Sequence, residues 1–134
     1  MKKIGTLNST LSLVLAEMGH TDKLVIADAG LPIPEETERI DLALMKGVPG
    51  FLETLQTVLL ELEVEEVFLA EEIQSASSSS SELCDQLKNV FKDVPMTFIS
   101  HETFKQKLST CRAVVRTGEC TPYANIILCS GVNF

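Results

Sequence analysis

Basic charge is scarce in this chain. Eleven Lys and Arg stand against nineteen Asp and Glu, a formal net charge of −8 over 134 residues. Phosphate binding needs a basic face, so an acidic chain of this size is a poor partner for nucleic acid or anionic membranes. Long apolar runs are missing too. No stretch approaches the roughly 20 residues a membrane span needs, and no membrane insertion is expected. The opening MKKIGTLNSTLSLVLAEMGH mimics a signal peptide with its two lysines and its Leu and Val run. Asn8, Ser9 and Ser12 interrupt that run, and Glu17 and His20 close it, which suits an amphipathic helix better.

The motifs of several chemistries are also absent. Cys84, Cys111, Cys120 and Cys129 form no C-x-x-C pair, so a zinc ribbon or thioredoxin motif has no support. They read as reduced, mostly buried thiols. There is no G-x-G-x-x-G after a strand and no G-x-x-x-x-G-K-[ST], the loops that cradle nucleotide phosphates. A G-x-S-x-G elbow is missing as well. His20 and His101 are the only histidines. A catalytic zinc usually takes three protein ligands, so neither a metal nor another cofactor is expected.

What is present fits one domain spanning 1–134, long enough for a real core. Hydrophobic residues make up 45% and charged residues 22% of the chain, a globular balance. Mean hydropathy is slightly positive. That admits either a well-filled core or apolar surface buried between subunits.

Leu11, Val14, Leu15 and Met18 recur at helical spacing, with Asn8 or Ser9 as cap and Gly19 as stop. LVIAD (24–28) reads as a strand buried on both faces. Ile40, Leu42 and Leu44 alternate with Asp41 and Ala43 like a half-buried strand. Residues 50–62 read as a helix, 67–70 as a strand and 74–81 as a mobile polar loop. A helix at 82–92, a strand at 96–100, a short helix capped by Ser100, and strands at 113–116 and 125–128 complete the chain. Strands alternating with helices predict an α/β fold: a single three-layer domain with a central, largely parallel sheet flanked by helices.

Four polar groups fall in loops or at strand ends: His20, Asp28, His101 and Tyr123. Ligands in open α/β sheets bind beyond the carboxyl ends of strands, which favours Asp28 and His101. Each has a plainer reading. His20 after a helix stop can be a cap or surface residue. Asp28 before Ala-Gly can form an Asx-turn. His101 can be filler at a helix start, and Tyr123 can be a packing residue with a satisfied hydroxyl.

Longer blocks are more specific. Gly19-His20-Thr21-Asp22, followed by Ile26-Ala27-Asp28-Ala29-Gly30-Leu31-Pro32-Ile33-Pro34, resembles the N-terminal signature of the D-ribose pyranase family. Arg116-Thr117-Gly118-Glu119-Cys120-Thr121-Pro122-Tyr123-Ala124-Asn125, with Gly131-Val132, resembles its C-terminal signature. Lys2-Lys3, Leu7-Asn8-Ser9 and Glu38-Arg39-Ile40-Asp41-Leu42-Ala43-Leu44 fit as well, so the resemblance spans the chain. The Ser run at 77–81 lies outside the pattern. L-fucose mutarotases share the Gly-His and Pro-Tyr-Ala-Asn elements, while Asp28 to Pro34 favours the ribose branch.

The resemblance implies a cytoplasmic isomerase that interconverts pyranose and furanose forms of free D-ribose. It implies His20 as proton donor, with Asp28, His101, Tyr123, Ala124 and Asn125 as sugar contacts. It further implies a homo-oligomer, a decamer of two stacked pentameric rings, with sites completed across subunit boundaries. The residue types suit such chemistry. Ring opening needs a proton delivered and another removed near neutrality, which imidazole does, and carboxylate, amide and phenol groups match sugar hydroxyls. The alternatives are fucose mutarotase and a non-catalytic sugar-binding partner of ribose uptake.

Overall fold

The computed structural model describes all of residues 1–134. Its elements, in order, are α1 (Ser9–Glu17), β1 (Lys23–Ala27), β2 (Glu38–Asp41), α2 (Phe51–Leu59), β3 (Val64–Ala70), α3 (Ser78–Val90), β4 (Met96–Ile99), α4 (His101–Lys107), β5 (Ala113–Arg116) and β6 (Ile126–Ser130). Short 3-10 turns follow β3 and α4. The strands form one six-stranded sheet in the order β2-β5-β1-β6-β3-β4. Pairing is parallel for β2/β5, β5/β1 and β3/β4. Strand β6 runs antiparallel to both of its neighbours, β1 and β3. The expected α/β architecture is present, with this one reversed strand at its centre.

Hydrophobic alternation along the strands divides the core into two layers. Leu24, Ile26, Val67, Leu69, Val115, Ile126 and Leu128 face one cluster, which α1, α2 and α3 complete through Leu11, Val14, Phe51, Leu55, Leu83 and Leu87. Val25, Ala27, Val114 and Ile127 face the other, covered by Phe104 and Leu108 from α4 and its extension and by Leu31 from the loop after β1. Each such large side chain contributes about 1.5–3 kcal/mol when removed from water, so the sheet is a rigid platform.

Helix starts follow local chemistry. Asn8 Oδ1 accepts the Leu11 N–H at 2.9 Å. The Glu53 carboxylate accepts the Gly50 N–H at 2.6 Å. Gly19 does not end α1 as expected. The helix stops at Glu17, Met18 turns extended, and the Gly19 N–H goes to the Asp22 carboxylate.

Two expected elements differ more. The Ser run is not a mobile loop. Ser77 Oγ accepts the Ser80 N–H at 3.0 Å and Ser80 Oγ accepts the Ser77 N–H at 2.8 Å. This reciprocal cap starts α3 at Ser78 and buries Ser80 completely. The strand expected over 40–44 ends at Asp41. Beyond it the chain turns back over β5, leaving Leu44 and Met45 exposed.

All four cysteines are free; Cys84, Cys111 and Cys129 are buried and Cys120 is exposed. Burial pushes the Cys111 thiol up to about 11, and it raises Cys84 and Cys129 as well.

The turnback over β5 depends on Gly118. Its N–H donates to Pro49 O at 2.9 Å, and its carbonyl accepts the Gly47 N–H at 2.6 Å. A Cβ on Gly118 would collide with the carbonyl oxygens of Met45 and Val48. Gly118→Ala is therefore expected to destabilise the fold by about 1–3 kcal/mol, the usual cost of overpacking. Urea unfolding checks this, and an unchanged midpoint would show that the loop moves aside freely.

Candidate active site

The carboxyl ends of β1, β2, β3, β4 and β5 lie along one edge of the sheet, and reversed β6 begins there. This places Asp28, His101, Arg116 and the Tyr123–Asn125 turn on a common rim. A cavity of about 300 Å³ opens between Asp28, Gly30, Leu31, Pro32, His101, Pro122, Tyr123 and Asn125. Its size is at the lower end for small-molecule sites.

Asn125 and Asp28 lock the entrance of β6 to the exit of β1. Asn125 Oδ1 accepts the Asp28 N–H at 2.9 Å, and Asn125 Nδ2 donates to Asp28 Oδ2 at 3.1 Å. Asn125 is fully buried. Asp28 Oδ1 also accepts the Gly30 N–H at 2.9 Å. The Asx-turn reading of Asp28 thus holds alongside its place in the cavity wall. Each carboxylate oxygen keeps a further lone-pair direction for a ligand hydroxyl.

Tyr123 has φ 61°, in the left-handed region. Its carbonyl accepts the Asn125 N–H at 2.8 Å. The tight turn brings its ring edge-on to His101, with centroids 5.1 Å apart. Ala124 is fully buried beneath the turn. His101 is the first residue of α4, where Ser100 caps the helix as expected. Its backbone N–H donates to both Glu72 carboxylate oxygens, at 3.1 and 3.0 Å. Its ring Nδ1 is buried without a partner.

Arg116 and Thr117 brace the same rim. Arg116 Nε donates to Ala29 O at 3.1 Å, and its Nη1 lies 3.1 Å from both Asp41 carboxylate oxygens. Thr117 Oγ1 donates to Ala27 O at 2.7 Å, and the Ala29 N–H reaches Glu119 O at 2.8 Å. The Arg-Thr-Gly-Glu block is scaffold for the loop that carries Asp28.

His20 is elsewhere. It precedes β1, whereas Asp28 follows it. The five residues of β1 at about 3.3 Å each separate the two sheet edges by roughly 17 Å. The proximity that neighbouring sequence positions suggest is therefore not realised within one chain. Thr21, with φ 69°, and the Thr21 N–H to Ser130 O bond of 2.9 Å fix the turn that carries His20. The His20 ring lies beside a second cavity, of about 370 Å³, lined by Met18, Glu63, Ser130 and the tail Gly131 to Phe134.

A family model described as the RbsD / FucU transport protein family matches residues 1–133. The chain belongs to that family. In the RbsD / FucU family, the D-ribose pyranase of Clostridium perfringens is 60% identical to it over 134 residues, covering all of both chains. RbsD from Bacillus subtilis, solved complexed with D-ribose, is 48% identical with full coverage of both chains and a TM-score of 0.93. The fucose mutarotase of Streptococcus pneumoniae, solved with L-fucose, is 24% identical with full coverage of both and a TM-score of 0.78. That last likeness speaks for the fold alone.

Within this RbsD / FucU chain the structure gathers Asp28, His101, Tyr123, Ala124 and Asn125 and leaves His20 at the far edge. Glu65 is a partner that sequence reasoning missed: its Oε2 lies 2.9 Å from His20 Nε2. Glu72 was missed too. Both come from β3 or its exit, in acidic stretches (Glu65-Glu66 and Glu71-Glu72) that look like solvated surface in one dimension.

Removing the Asn125 amide leaves the part-buried Asp28 N–H without its acceptor. Asn125→Ala is expected to cost about 1–3 kcal/mol of stability and to loosen the cavity wall. Chemical denaturation reads the first effect and ribose titration the second. Unchanged ribose affinity would separate the Asp28–Asn125 lock from binding.

Proposed function

We propose that this chain is a D-ribose pyranase, one 134-residue domain that interconverts the pyranose and furanose forms of free D-ribose. The observation that carries the reading is the strand-end cavity, where a carboxylate, an imidazole and a phenol converge in a chain matched end to end by ribose pyranases. Such groups suit a ligand whose hydroxyls each donate and accept.

The reaction needs two proton movements in each direction. On opening, the ring oxygen gains a proton as its bond to the anomeric carbon breaks, and the anomeric hydroxyl loses one to give the aldehyde. After rotation about carbon–carbon bonds, a different hydroxyl attacks the aldehyde carbon and gives up its proton, while the aldehyde oxygen gains one. We assign the donor role to His20 as imidazolium; as neutral imidazole it then takes the proton of the closing hydroxyl. Asp28 accepts from sugar hydroxyls and assists the counter-proton. His101, Tyr123, Ala124 and Asn125 hold the sugar's face. No metal or other cofactor enters this scheme. Free sugars mutarotate unaided, so the about 10²–10⁴-fold that general acid–base catalysis supplies is a sufficient scale.

Because His20 and the cavity occupy opposite edges of the sheet, the scheme needs two copies of the chain. A contact between different patches is head-to-tail, and such contacts form rings when the rotation between neighbours closes and open filaments when it does not. Exposed apolar side chains stand ready at both edges: Leu44, Met45 and Val48 beside the cavity rim, and Val132 and Phe134 beside His20. Burying Phe134 at such a boundary would contribute about 1.5–3 kcal/mol per copy. We therefore propose a homo-oligomer with sites shared between neighbours, in the two-ring decamer that the sequence resemblance implies. The four free thiols support a reducing, cytoplasmic location, and no helix is long and apolar enough to cross a membrane.

Saturation-transfer NMR on equilibrated ribose and on fucose tests the activity and the sugar preference. Accelerated exchange for ribose and none for fucose is expected. His20→Ala and Asp28→Ala should each abolish the acceleration. Mixing the two variants after dissociation and reassembly should restore it in about one site in four, because some neighbours then pair an intact His20 with an intact cavity. Two inactive variants that stay inactive when reassembled would refute the shared site.

A further inference from the structure

We propose that Glu65 is a positioning residue for His20, holding the imidazole by its Nε2 so that Nδ1 is the nitrogen presented to the sugar. This rests on the reading of His20 as the proton-transfer group. Three features of the structure converge on it.

The first is the contact itself. His20 Nε2 and Glu65 Oε2 are 2.9 Å apart. A carboxylate can only accept here, so Nε2 carries the proton and donates. Nδ1 is left as the ring atom free to exchange protons. A base oriented by a third group is the general arrangement of side chains that move protons in catalysis.

The second is backbone geometry. In the β3/β6 ladder Val64 pairs with Ser130 and Glu66 with Cys129, so Glu65 is the extra residue of a β-bulge. Bulges re-aim a side chain at the cost of a broken ladder and are over-represented next to active sites. Here the bulge lies at the edge of the sheet where the turn Gly19–Asp22 brings His20.

The third is clearance. Gly131 leads the chain past the same bulge, its N–H donating to Glu63 O at 2.9 Å. A Cβ on Gly131 would lie 3.2 Å from Glu65 Cβ and 3.5 Å from the Glu65 nitrogen. The absence of a side chain there leaves Glu65 its room.

Fold stability does not account for the pair. Both side chains are about half exposed, 52% for His20 and 43% for Glu65, and ion pairs so placed contribute little to folding. A bulge maintained for an exposed pair makes sense if the orientation of the imidazole matters.

The test measures ribose exchange at several ribose concentrations for wild type, H20A, E65A, E65Q and H20A/E65A, with thermal unfolding as control. Glu65→Ala should lower the maximal rate by about 10- to 100-fold, the scale known for removing the hydrogen-bonded partner of a metal-ligating imidazole. Its KM should move by less than about twofold, the split expected of a residue that acts through His20 rather than on the bound sugar. Glu65→Gln keeps a carbonyl acceptor for Nε2–H and should recover most of the rate. In the H20A background, E65A should change nothing further. Selective 15N-histidine labelling adds a direct readout: with two histidines in the chain, the hydrogen-bonded Nε2–H of His20 should be seen in wild type and E65Q and lost in E65A. A wild-type-like E65A beside an inactive H20A would overturn the positioning role alone. An active H20A would instead overturn the reading of His20 on which it stands. Should E65A fail to fold, E65Q and its imidazole signal decide: loss of both rate and signal in folded E65Q refutes orientation by an acceptor.

Discussion

What lies at each edge of the sheet follows from the direction of one strand, β6. It lies between β1 and β3, pairs antiparallel with both, and is buried along its whole length. Reversal has two consequences. Its entrance, Tyr123 to Asn125, arrives at the edge where the other strands end. Its exit, Ser130 to Phe134, arrives at the opposite edge beside His20. One strand therefore builds part of each surface that the proposed chemistry requires. A parallel β6 would have put the Tyr-Ala-Asn turn at the wrong edge for Asp28 and His101.

The two edges differ in character. The strand-end rim is fixed by short polar bonds among the strand ends that meet there: Asn125 to Asp28, Thr117 to Ala27, Arg116 to Ala29 and Asp41. These bonds satisfy backbone and side-chain groups that would otherwise be stranded at the top of a buried sheet. The opposite edge carries His20 and Glu65 in contact with solvent, next to an exposed Phe134. In the proposed scheme a rigid pocket at one end and an exposed imidazole at the other suit assembly of copies better than action by a single chain.

Much of the fold was legible because local and tertiary preferences agree. The continuous apolar run of β1, the amphipathic spacing of α1 and α2, and the Ser100 cap all appear where periodicity and capping chemistry place them. Legibility failed where composition and geometry compete. The serines of α3 look like linker by composition, but a reciprocal Ser77–Ser80 cap turns the run into the first turn of a helix. Leu42 and Leu44 continue a strand-like alternation, but β2 is an edge strand, and the chain leaves it to close over Gly118. Direction along the sheet was also out of reach, since alternation in a strand is the same read either way.

Periodicity and motif blocks were enough for the fold class, the buried strands and the family, and they singled out Asp28, His101, Tyr123 and Asn125 of the strand-end cavity along with His20, which lies outside it. Which of these side chains meet was set by packing across the sheet. Asn125 and Asp28 are 97 positions apart and share two hydrogen bonds. His20 and Asp28, separated by one short strand in sequence, stand at opposite edges of the sheet. His20 and Glu65, 45 positions apart, touch. The physical reason is that periodicity encodes which face of an element is buried. Pairing order, strand direction and the single residue added by a bulge are set by long-range packing, and they determine which side chains share a site.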